Sequence, residues 1–172
     1  RVDLLDARTV WKGNRRRLLV DGRKALAASD QQRDRVAEAV EACLSHDRNA
    51  KFFTVLDVAR RIAGNGSLGQ QRYVVLVRGR GHPDGNFLLD LKAAPPSSLA
   101  PHTPLAQPRW PNQAERVVAV QRRLQAIPPA FLHTLTLDGV ACVLRDLQPS
   151  QDRVELARDK GQRRHAENLM AV

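Results

Sequence analysis

The stretch that speaks most directly to chemistry is Gly64-Asn65-Gly66-Ser67-Leu68-Gly69. Glycines let backbone N–H groups approach phosphate oxygens with no side chain in between. Gly64, Gly66 and Gly69 meet that need, Asn65 sits between the first two, and Ser67 adds a hydroxyl. A phosphate so held also needs a cation. Lys92, the only lysine between Lys51 and Lys160, closes the apolar run Leu88-Leu89-Asp90-Leu91. A lysine in that role needs an anionic partner, and Glu115 is the only acidic residue from Leu91 through Leu137. Taken singly, each has a plainer reading: a glycine-rich turn, a lysine at a strand end, and a glutamate favouring a helix N-terminus through the macrodipole. Their order along the chain is what joins them into a phosphate-binding constellation with a Lys92–Glu115 ion pair.

The elements around these residues set how the glycines are read. Opening a helix, G-x-G-x-x-G marks a dinucleotide fold. Here it lies between two strand-like runs, 54–63 and about 71–78, which predicts a β-hairpin. A third strand is expected over 86–93, after a Gly/Pro-rich turn at 79–85. Ser29-Asp30 caps an expected helix to about Leu44, with Val36, Ala39, Val40, Cys43 and Leu44 on one face. Six prolines between Pro95 and Pro111 exclude regular helix there. Residues 112–126 read as a helix with Val117, Val118, Val120 and Leu124, extended by Ala114 and Ala126, on its buried side, stopped by Pro128-Pro129. Runs 131–137 and 140–147 flank Asp138-Gly139 as a hairpin, and Leu18-Leu19-Val20 before Asp21-Gly22 suggests another near the N-terminus. Residues 151–172 read as a basic helical segment. The expected fold class is α+β, an antiparallel sheet with a packed helix. It divides into an N-terminal hairpin and helix (1–50), a central lobe (51–150) and a C-terminal segment (151–172) that begins an incomplete second lobe.

Composition narrows the function classes. The 172 residues are 42 % hydrophobic and only 4 % aromatic, so the core is expected to be Leu, Val and Ala. No apolar run approaches the roughly 20 residues that span a bilayer, and Arg1-Val2-Asp3-Leu4-Leu5 is not a signal peptide. Cys43 and Cys142 read as free thiols in a reducing cytoplasm, and no closely spaced Cys/His set suggests zinc. The net charge of +10 admits a polyanion partner. The arginines, however, fall in scattered clusters (15–17, 60–61, 122–123, 163–164) that read as solvated faces, and aromatics for base stacking are few, which argues against nucleic acid. His46, His82, His102, His133 and His165 show no metal or triad spacing.

Asp57 to Gly69, Arg72 to Val77, Leu89 to Lys92, Glu115 to Ala126 and Val143 to Pro149 together resemble the bacterial domain-of-unknown-function 2252 family. That uncharacterised family is similar in fold to protein kinases and aminoglycoside phosphotransferases. The order strand, glycine loop, strand, strand, helix, strand, strand is that of the small lobe of a kinase-like fold. The resemblance implies ATP with Mg as ligands. It implies Gly64, Asn65, Gly66, Ser67 and Gly69 as the phosphate loop, Lys92 as the phosphate lysine and Glu115 as its partner. The stretch Arg145 to Gln148, with Arg145 and Leu147, would form the hinge that meets adenine. The chain departs from the kinase pattern at Asp90, where V-A-I-K has alanine, and at Gln71, where a valine follows the loop.

No catalytic base or metal-binding Asn/Asp is recognisable. His46-Asp47-Arg48-Asn49 lacks the H-x-D spacing, and Leu137-Asp138-Gly139 reads as a turn rather than a D-F-G. Relatives carry a His-Gly-Asp-type segment upstream of the glycine loop, so the chain is expected to be a fragment or to have lost catalysis. Two functions follow: a nucleotide-binding lobe of a kinase-like phosphotransferase with an unidentified phosphate acceptor, or a non-catalytic module that binds a protein or an anionic polymer. An orphan lobe is expected to self-associate.

Overall fold

The computed structural model describes residues 2–45, 53–63 and 69–148. Among the described residues the fold is α+β, with antiparallel sheets and three α-helices. Helix α1 (Val2–Arg8) leads into a hairpin of β1 (Thr9–Lys12) and β2 (Arg15–Leu18). There follow β3 (Ala25–Ala27), α2 (Asp30–Leu44), β4 (Val55–Arg61), β5 (Arg72–Val77), β6 (Phe87–Ala93), α3 (Gln113–Leu124), β7 (His133–Leu137) and β8 (Val140–Asp146). The larger sheet has the order β3-β4-β5-β6-β8-β7, antiparallel throughout.

Side chains alternate across the sheet, so each strand feeds two cores. One face carries Val58, Tyr73, Val75, Val77, Leu89, Leu91, Cys142 and Leu144, and α2 covers it with Val36, Val40 and Leu44. Phe131 meets Phe53 and Phe87 edge to face, each with centroids 5.1 Å apart, at the margin of that core. On the opposite face Val74, Leu76, Leu88 and Leu147 pack against Leu5, Leu18 and Ala25 of the N-terminal unit. Helix α3 lies on the same face near its other end, with Ala114 and Val118 against Val143 and Leu132. Leu, Val and Ala dominate all three clusters, as the composition implies.

Local chemistry explains most boundaries. Ser29 caps α2 in a full capping box: its side chain accepts from Gln32 N–H while the Gln32 side chain accepts from Ser29 N–H. Asn112 Oδ1 accepts from Glu115 N–H at 2.9 Å and starts α3. Asp138 and Gly139 turn β7 into β8 with φ of 52° and 77°, the positive values that a two-residue hairpin turn of the primed type requires.

The N-terminal region differs from expectation. The hairpin turns at Gly13-Asn14, not at Asp21-Gly22, and α1 precedes it. Asp21 instead folds a local turn, its Oδ1 accepting N–H groups from Arg23, Lys24 and Ala25 before β3 begins. Those bonds lower its carboxyl to about 2. The proline-rich stretch is irregular apart from a single 3₁₀ turn, Ala100–His102. Residues 151–172 lie outside the described residues.

Candidate phosphate-binding face

Antiparallel pairing brings residues far apart in sequence into two rows on the face shared with α3. Lys92 of β6 lies between Arg72 of β5 and Val143 of β8, and Val143 lies opposite Thr134 of β7. One step along, Asp90 lies between Val74 and Arg145. Directly opposed residues share a face with Cβ atoms about 5 Å apart. The middle of the sheet therefore carries Arg72, Lys92, Asp90 and Arg145 side by side, with Arg61 arriving from β4.

Asp90 is the hub. It is 2 % exposed and receives Arg72 through both Nε (2.8 Å) and Nη2 (2.6 Å), a bidentate pair. Arg61 Nη1 lies 2.8 Å from the same Oδ1 that accepts from Arg72 Nε, and Arg145 Nη2 stands 3.8 Å from Oδ2. Burial by itself would raise the Asp90 carboxyl, but the hydrogen bonds from Arg72 and the charge of Arg61 outweigh it and hold the group below its ordinary value of 3.8. Burial lowers Lys92, and the neighbouring charges of Arg72 and Arg145 lower it further, against a smaller opposing pull from Asp90. The expected solvated arginines are thus partly wrong. Arg61 and Arg72 are 13 % and 10 % exposed and held on a buried carboxylate. Arg16, 4 % exposed, pairs with Asp6 at 2.7 Å and Asp84 at 2.9 Å.

Glu115 does not pair with Lys92: among the described residues no ion pair joins them within 4 Å. Glu115 Oε1 instead accepts from Thr134 Oγ1 at 2.6 Å. Thr134 stands two strands beyond Lys92 in the same row, so the bond tethers Glu115 roughly 10 Å from the lysine by strand spacing. A threonine hydroxyl on a neighbouring strand has no signature in the spacing of Lys92 and Glu115, which is why the sequence misplaces the glutamate.

Of the glycine stretch only Gly69 is described, with φ of 78° and open space beside it; Gly64, Asn65, Gly66 and Ser67 lie outside the described residues, as does His46-Asp47-Arg48-Asn49. A groove of about 480 Å³ opens where β4 and β5 approach that stretch, lined by Arg60, Arg61, Gln70 and Arg72 among others.

The hinge segment is internally engaged. Leu147 is buried, and its N–H donates to Leu88 O at 2.7 Å. Beside it, Leu18, Ala25, Val74 and Leu147 line a cavity of only about 20 Å³, room for a water molecule and not for a purine. On its other side Leu147 borders a second, mostly apolar cavity of about 230 Å³, lined also by Leu5, Phe87, Leu88 and Phe131. Among the described residues no three His, Cys, Asp or Glu side chains gather to hold Mg.

Cys142 is buried, and its thiol is raised to about 11 by burial. Cys43 is half-buried, also raised by burial, and both cysteines are free. No described helix is long and apolar enough to cross a membrane.

No curated protein and no solved structure matches the chain. One family does, the one described as "Uncharacterized protein conserved in bacteria (DUF2252)", over residues 1–171, and with nearly the whole chain so matched the protein belongs to that family.

Proposed function

We propose that this chain is the phosphate-binding lobe of a kinase-like phosphotransferase, taking a nucleotide with Mg and not transferring phosphate by itself. The observation that carries the reading is the cationic face in the middle of the sheet, with Lys92 on the strand paired to the glycine-loop hairpin. The order β4, glycine stretch, β5, β6, α3, β7, β8 supports it, being that of a kinase small lobe. Lys92 would hold phosphate oxygens as a point charge, Gly69 would end the loop that covers them, and Arg145 would add a second cation beside Lys92. Glu115, bonded to Thr134, would reach Lys92 only after exchanging that partner. The test is thermal-shift binding of Mg-ATP to the parent chain and to Lys92→Ala. The expected result is a rise in Tm with the parent that is lost in the variant; equal shifts in both would remove Lys92 from the site.

A second reading, a non-catalytic module that docks a protein, draws on one observation. Leu124 and Ile127, at and just beyond the end of α3, are 80 % and 87 % exposed. Partner binding of that kind would change little between low and high salt, whereas an anionic polymer would dissociate steeply.

A further inference from the structure

Charge bookkeeping on the sheet face leads to a specific ligand. Arg61, Arg72, Lys92 and Arg145 bring four positive charges to one surface, and Asp90 returns a single negative one. That leaves an excess of three positive charges among these residues. Lys92 has no carboxylate within 4 Å among the described residues, and Arg145 approaches Asp90 only to 3.8 Å, outside hydrogen-bond distance. Half-buried cations without acceptors are costly, and a ligand that brings oxygens and negative charge relieves the cost. Asp90 meanwhile fixes Arg61 and Arg72 in place, so their planes are set before a ligand arrives.

We propose that this Asp90-centred cluster, with the groove lined by Arg60, Arg61 and Arg72, binds the polyphosphate chain of its ligand directly, the arginines supplying the charge neutralisation that a divalent metal would otherwise give. The inference rests on the phosphate-binding reading above and adds to it the ligand class: at least two linked phosphates, bound through the chain. The geometry favours a chain over a single phosphate. Lys92 and Arg145 lie on adjacent strands two residues apart in register, diagonal neighbours on one face about 7–8 Å apart, so a chain of phosphates meets both, and Arg61 and Arg72 stand beside them on Asp90. The groove of about 480 Å³, lined by Arg61 and Arg72 among others, accommodates a linear triphosphate. Guanidinium groups suit this role because their planar N–H pairs match phosphate oxygens two at a time.

A nucleoside triphosphate and an inorganic polyphosphate share this chemistry, and calorimetric titration of the full chain distinguishes them. The probes are sodium tripolyphosphate, pyrophosphate, orthophosphate and citrate, all in EDTA, and ATP with and without Mg. Tripolyphosphate in EDTA is expected to bind at least tenfold tighter than orthophosphate or citrate. Arg145→Gln and Lys92→Gln are each expected to weaken it at least tenfold with Tm unchanged, both side chains lying outside the Asp90 hydrogen bonds. Absence of binding in EDTA, or citrate binding as tightly, would overturn the proposal, as would an Arg145→Gln variant of parental affinity. Mg-ATP binding without tripolyphosphate binding would sink this inference and leave the nucleotide reading standing. Tripolyphosphate binding as tight as ATP would uphold the inference and remove the nucleotide from the function.

Discussion

Asp90 is the residue on which the site turns. In a kinase-like strand its position would hold a small apolar side chain; here a carboxylate, 2 % exposed, gathers three arginines. Removing one member of a buried ion pair typically costs about 3–5 kcal/mol, because the remaining charges stay desolvated. Asp90→Asn is expected to lose stability on that scale near neutral pH. The pH dependence follows from the lowered carboxyl. Its contribution is complete above the ordinary value of 3.8 and is lost as pH falls through the lower value of the folded state. Urea unfolding of parent and Asp90→Asn should therefore show a constant gap from pH 7 to about 5 that narrows below pH 4. A gap that persists undiminished at pH 2 would show that Asp90 acts through packing and not through charge. At this scale the sequence identified Lys92 and Asp90 as unusual neighbours in an apolar strand. It did not show that Arg61, Arg72 and Arg145 converge on them, because they come from three different strands.

Elements were legible where a local signal sets them. Ser29-Asp30 announces the start of α2, and Val36, Val40 and Leu44 bury its apolar face as the spacing implies. Ser29→Ala is expected to cost about 1 kcal/mol, measured as a lower urea midpoint with unchanged slope. No change would mean that the Gln32 side chain and water satisfy the helix end without the serine. Asp138-Gly139 likewise reports its own turn. The Asp21-Gly22 pair shows the limit of such signals: the same dipeptide serves a hairpin in one place and a three-donor aspartate turn in another. What differs is the partner strand, β4, to which the following β3 attaches. Glu115 carries the same lesson for side chains. Its helix is where the sequence puts it, yet Thr134, contributed by β7, the first strand after that helix, decides which way its carboxylate is tied.

Across the whole molecule, the N-terminal unit is part of the sheet's packing and not an appendage. Leu5, 1 % exposed, and Leu18 press on Val74, Leu76 and Leu88, while Arg16 bridges Asp6 of α1 to Asp84 in the turn before β6 and lies 4.5 Å from the centroid of Trp11. Leu5→Ala is expected to cost about 2–5 kcal/mol, the usual range for deleting a buried leucine. Because that leucine shares a core with β5 and β6, unfolding should remain one transition followed equally by tryptophan fluorescence and circular dichroism. Two separate transitions would mean that the N-terminal unit unfolds by itself. Leu4 and Leu5 also wall the cavity of about 230 Å³ beside Leu147. An account of ligand binding thus has to include residues that lie more than 50 positions before Lys92.

The amino-acid sequence by itself determined the α+β class, the strand periodicities, the cap of α2, the Leu/Val/Ala core and the placing of Lys92 at the end of an apolar strand. These depend on near neighbours along the chain, through backbone preference and alternation of side chains. Only the tertiary structure decided that β6 pairs with β8 and not with β7, that Arg61, Arg72 and Arg145 meet on Asp90, that Glu115 bonds Thr134, and that α1 and the first hairpin cover the sheet beside Leu147. Each of these depends on strand order and register, which arise from burying two faces of one sheet at once, and short-range sequence patterns carry no record of that choice.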